Sequence, residues 1–135
     1  MRAQTLTALA GGLLMAAVPM LAHHSFAAEY DRSQPIKLKG TVTKVEWMNP
    51  HARFYLDVKD DSTGKVANWE FELGSPNGLM RQGWTRNSLK EGDVVEVSGS
   101  RAKDGSNLVN ASNVAFENGK RVLGGASSAD DPATK

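Results

Sequence analysis

The chain has 135 residues, of which 40% are hydrophobic and 23% charged, the composition of one modest globular domain rather than of a disordered or fibrous chain. Sixteen Lys and Arg stand against fifteen Asp and Glu, a net charge of +1, so the basic excess that a phosphate-backbone binder needs is missing. There is no cysteine, which excludes disulfides, Cys-ligated zinc or iron–sulfur clusters, a thiol nucleophile and a lipoprotein anchor.

Met1 to Ala22 has the three parts of a secretory signal: a positive start at Arg2, a charge-free apolar run from Leu6 to Leu21, and a small residue at Ala22. The run falls short of the roughly 20 residues of a spanning helix, which favours a cleaved signal over a membrane anchor. Residues 23–34 follow as an N-terminal arm. Removal of Arg2 with the signal leaves fifteen residues of each sign. Export to the periplasm or beyond is therefore expected, with no membrane anchor after cleavage.

From residue 35 the apolar period is two. Ile36, Leu38, Gly40 and Val42 alternate with Lys37, Lys39, Thr41 and Thr43, a half-buried strand. Beyond Lys44 the apolar positions become Val45 and Trp47, a slip of one residue that a β-bulge in a bent strand produces. Ala52, Phe54, Leu56 and Val58 make a second strand, with Arg53, Tyr55, Asp57 and Lys59 on its other face. Asp60 to Gly64 is a turn, and Ala67, Trp69, Phe71 and Leu73 form a third strand with Asn68, Glu70 and Glu72 opposite. Ser75 and Pro76 open a short helix carrying Leu79, Met80 and Trp84, weakened by Gly78 and Gly83. Leu89 to Asp93 turns into a fourth strand, Val94 to Gly99. Lys103 to Gly105 turns into a fifth, Leu108 to Phe116, and Asn118-Gly119 leads to a last short pairing at Val122 and Leu123. Residues 124–135 are small, polar and aperiodic, and read as a disordered tail.

Five strands with a bent, glycine-bearing first one and a short helix between strands 3 and 4 are the order of an all-β, OB-fold-like small barrel over residues 35–123. An up-and-down barrel or small sandwich is the alternative, since period-two strands do not set topology. His23-His24-Ser25-Phe26, Tyr30-Asp31, Gly40-Thr41-Val42, Glu46-Trp47, Asn49-Pro50-His51, Gly83-Trp84 and Gly92-Asp93 resemble an exported bacterial family catalogued as domain of unknown function 6152. The resemblance runs from His23 to Leu123. It implies export and a compact β domain, and it brings no activity. The strand order also resembles, more weakly, that of periplasmic bacterial OB-fold proteins.

The chemistry therefore rests on the residues. A cut after Ala22 makes His23 the first residue, whose free amine and ring Nδ1 can chelate one metal ion. A further imidazole completes a three-nitrogen, T-shaped set suited to copper, which prefers tetragonal nitrogen ligation. The geometry resembles the histidine brace of copper enzymes and periplasmic copper carriers. His51 is the remote candidate and His24 can add a backbone nitrogen, with Glu46 or Asn49 supporting His51 from behind. Strand one spans about 40 Å if straight, at roughly 3.3 Å per residue, and the arm is long enough to run back along it. The plainer reading has the greater weight: the two leading histidines are polar residues after a signal, and Asn49-Pro50-His51 is turn chemistry. Met48 can serve as a thioether ligand or as core.

Glu70 and Glu72 share a strand face where carboxylates are ordinarily solvated. Asp60-Asp61 with Gly64 lacks the acidic ladder of a calcium loop. No nucleophile elbow, phosphate loop or dinucleotide fingerprint is present, so no enzyme is expected. Trp47, Arg53 and Tyr55 are the candidates for a small-ligand platform on the strand 2–3 face, where OB-folds bind. Two functions follow as expectations. One is a small periplasmic copper-binding protein using His23, His24 and His51. The other is a module for a small ligand or another periplasmic protein, with incidental histidines and no metal. Nucleic acid is not an expected partner.

Overall fold

A computed structural model describes residues 26–119, 122–123 and 127 of the chain. The expected signal, residues 1–22, His23 and His24, and nearly all of the expected tail lie outside the described residues. Its elements are α1 (Phe26–Glu29), β1 (Tyr30–Glu46), β2 (Arg53–Lys59), β3 (Val66–Glu72), α2 (Pro76–Arg81), β4 (Val94–Ala102), β5 (Leu108–Phe116) and the two-residue β6 (Val122–Leu123). Among the described residues no helix is long and apolar enough to cross a membrane.

Each long strand turns its apolar set inward. Val42, Phe54, Leu56, Phe71, Val95, Val97, Val109 and Val114 are almost wholly buried in one core, with the Phe54 and Phe71 rings stacked 4.9 Å apart. The order β3-β2-β1-β4-β5 is closed by a parallel contact between β3 and β5, where Glu70, Phe71 and Glu72 meet Leu108, Val109 and Asn110. Closure makes this an all-β barrel with the strand ring of an OB-fold and the helix between β3 and β4. Following paired residues round the ring goes from Glu46 to Arg53, Glu72, Asn110, Ser100 and back to β1 at Pro35. The return point is eleven residues before the start, the stagger that a small closed barrel of tilted strands requires.

That stagger needs β1 to coil strongly, and two devices in it do so. The register with β2 slips between Val42 and Lys44, making Thr43 a bulge residue. Val42 is buried before it, and Val45 and Trp47 pack on the core after it. At Gly40 a Cβ would strike the carbonyl oxygen of Asp57 and lie 3.1 Å from Val58 Cγ2, so only glycine lets β2 cross this close.

One boundary differs from the sequence reading: β1 starts at Tyr30, inside the expected arm. Residues 31–35 carry no apolar alternation to announce a strand, yet Tyr30 pairs with Ala102 and Pro35 with Ser100 across an irregular stretch. The partner strand, not the local pattern, extends β1.

The connection from β3 to β4 closes one end of the barrel. Ser75 caps α2 by accepting from the Gly78 N–H, and Pro76 fills the first turn. Leu79, Trp84 and Leu89 reach down into the core.

Candidate functional site

The β1–β2 turn holds His51 between the exposed Asn49-Pro50 pair, whose peptide bond is cis, and the fully buried Ala52. Ala52 anchors the turn. Its N–H donates to Gly74 O at 3.0 Å and its carbonyl accepts from Leu73 N at 2.9 Å. This places His51 against the end of β3, where His51 Nδ1 lies 3.2 Å from Glu72 Oε1.

Glu72 is the centre of the cluster. It is only 5% exposed, and three side chains from three different segments converge on it. Tyr30, at the very start of β1, donates its hydroxyl to Glu72 Oε2 at 2.9 Å. Arg53 Nη2 lies 3.6 Å from the same oxygen, while Arg53 Nη1 donates to Glu70 Oε1 at 2.6 Å. Burial alone would push the Glu72 carboxyl up. The hydrogen bonds from His51 and Tyr30, with the Arg53 charge, outweigh it and hold the group below the ordinary carboxylate range. Tyr30 moves the other way: burial, then the neighbouring Glu72 charge, raises its phenol well above the usual value. At neutral pH the cluster is thus an ionised carboxylate receiving a neutral phenol and an imidazole N–H.

The ring path explains why both ends of β1 reach one carboxylate. Arg53, Glu72 and Asn110 lie side by side across β2, β3 and β5, and Tyr30 arrives over β4 from the far side. The segment before Tyr30 is fixed as well. The Phe26 ring packs 5.4 Å from that of Tyr30, and the Arg32 guanidinium lies 4.7 Å over Phe26. Lys103 donates from its backbone to Glu29 O at 2.9 Å and from Nζ to Ala27 O. The chain three residues after His23 is therefore tied down beside the residue that shares Glu72 with His51.

The other candidates fall on a neighbouring face. Glu46 pairs with Lys44 at 2.6 Å, and that hydrogen bond leads in holding its carboxyl below the usual range. Tyr55 is half-buried, 3.5 Å from Glu70 Oε1, with Lys44 5.5 Å over its ring. Trp47 packs on the core and Asn49 is exposed in the turn. Arg53 bridges the two groups. The carboxylate that holds His51 is Glu72, where the sequence pointed to Glu46 or Asn49. Glu72 is also buried, against the expectation of a solvated strand face, because Tyr30 folds over it. Nothing local distinguishes Glu72 from Glu70, since each lies between two apolar residues of the strand. Met48 is exposed and is not core. Among the described residues no group of three or more His, Cys, Asp or Glu could by itself hold a metal ion. His23 and His24 lie outside them.

The model of the Family of unknown function (DUF6152) matches residues 10–110. No curated protein and no solved structure matches the chain.

Proposed function

The chain belongs to the DUF6152 family of unknown function, and from its site we propose a small exported binding protein, not an enzyme, that holds one copper ion between its N-terminal histidine and His51. The observation that carries this reading is the shared carboxylate. Glu72 accepts from His51 Nδ1, so in the neutral ring the lone pair lies on Nε2. Metal-ligating histidines are characteristically oriented in this way by a carboxylate behind the ring. Tyr30 binds the same carboxylate, so the segment that opens at Phe26 shares Glu72 with His51. The donor set of one amine and two imidazoles suits copper, with His24 able to add a backbone nitrogen. Trp47, Arg53, Tyr55 and Glu46 then belong to the surrounding surface.

The test is titration of the secreted protein with Cu(II), followed by electron paramagnetic resonance. One equivalent should bind with nitrogen ligation. One extra residue before His23 should abolish that signal without touching the barrel, and His51→Ala should weaken binding strongly. Binding unchanged in both variants removes the copper reading. The Arg53–Tyr55 face then stands as a platform for a small ligand or protein partner.

A further inference from the structure

The β3–β4 connection has two sides of opposite character. Its inward residues Leu79, Trp84 and Leu89 plug the barrel end. On its outward side Met80 is 52% exposed, and Arg81, Arg86 and Lys90 are all exposed. From Ser75 to Lys90 there is no carboxylate, and Glu91 and Asp93 appear only at the foot of β4.

Charge pairing elsewhere makes this stretch stand apart. Lys37, Lys39, Lys44 and Arg53 each pair with a glutamate. Arg101 lies over Trp69, and Lys103 is bound to Ala27 O. Arg81, Arg86 and Lys90 form no ion pair among the described residues, nor do Lys59 and Lys65 at the β2–β3 turn. Val66, 61% exposed, adjoins Lys59 and Lys65, but Asp60 and Asp61 share their turn, whereas residues 75–90 hold no carboxylate. The α2 stretch also exposes Met80, and Met48, 54% exposed, lies in the β1–β2 turn, whose Ala52 is hydrogen-bonded to Gly74 at the head of the connection.

We propose that this capped end of the barrel is a docking surface for the anionic face of a phospholipid bilayer. Three unpaired cations on long stems meet lipid phosphates without needing a fixed partner geometry. Two protruding thioether side chains can enter the headgroup boundary. A specific protein partner is less well matched, because such interfaces centre on aromatic anchors. Among the described residues this end exposes no aromatic side chain: Trp84 is buried and Trp47 is packed on the core. This inference is independent of copper.

The experiment is co-sedimentation of the secreted chain with vesicles of phosphatidylcholine and phosphatidylglycerol in equal parts, against vesicles of phosphatidylcholine alone. Binding is expected to the anionic vesicles only and to fade with added salt. Combined Arg81→Glu, Arg86→Glu and Lys90→Glu should lower partitioning on the order of a hundredfold. Lys59→Glu with Lys65→Glu should cost far less, and Met80→Gln should weaken binding at unchanged net charge. Thermal melts matching the parent show that the variants fold. No binding to anionic vesicles, or an equal loss from the Lys59/Lys65 pair, overturns the proposal. Binding to an acidic protein with none to vesicles overturns it as well.

Discussion

Glu72 decides most of what single residues do here. Its carboxyl titrates below the ordinary range in the folded chain, so the unfolded chain binds protons more readily. The stability it contributes is fully present above the unfolded value near 4.3 and is lost as pH falls through the lower folded value. The melting temperature of the parent should therefore fall more steeply below about pH 4.3 than that of Glu72→Gln, measured by circular dichroism across the acid range. Parallel acid limbs would contradict this assignment. Tyr30 has the opposite sign. Its folded pKa is raised, so its stabilisation is complete below about pH 10, the ordinary phenol value, and is lost as pH rises beyond it. Tyr30→Phe should cost about 1–3 kcal/mol at neutral pH, since a buried carboxylate oxygen loses its donor, and should lessen the alkaline loss. A neutral-pH melt equal to the parent's would show the hydroxyl to be idle. Copper should respond to pH through the ligands: imidazole binds metal only when neutral, so affinity should drop below about pH 6.

At the scale of the element, β1 carries the barrel's curvature. Deleting Thr43 turns the pairing of Val42, Lys44 and Val45 with Leu56, Tyr55 and Phe54 into a regular ladder, with Val45 and Trp47 still inward, and so removes the extra bend that lets β1 close the barrel. The chain should then lose cooperative unfolding or melt far below the parent, while Thr43→Ser should melt close to it. A deletion variant as stable as the parent would place the curvature elsewhere. Gly40→Val tests the crossing of β1 and β2. Its Cβ meets backbone rather than a side chain that could swing away, so a loss of about 1–3 kcal/mol or more is expected in a denaturant titration. The bulge and the glycine were both legible in the sequence, the first as a break in period and the second as a gap in an apolar face. The start of β1 was not, because residues 31–35 have no alternation and are held by β4 alone.

For the whole molecule the decisive quantity is where the mature chain begins. Mass spectrometry of the secreted protein should give His23 as the first residue. Retention of Met1, or a start beyond His24, would remove the amine from the proposed copper site and leave the barrel intact. The ring of paired strands makes the amine matter, since it returns β1 to the site eleven residues out of step with where it left. An arm running back along a 17-residue strand is thus unnecessary. The strand coils round until its own beginning, at Tyr30, shares Glu72 with His51 of the turn that follows it.

What the sequence determined by itself is what short-range repetition encodes. Alternation at Phe54, Leu56 and Phe71, Val95 and Val97 sets strands with an inward face, because side chains change sides at every residue. Ser75-Pro76 sets a helix start, because its first N–H groups need a cap. Only the tertiary structure decided that Glu72, rather than Glu70 or Glu46, would lie beneath His51. Periodicity says which face a residue takes but not how far each strand is shifted against the next. That shift is set by closing five strands around one core, and it alone brings Tyr30 and His51 from separate parts of the chain to the single carboxylate of Glu72.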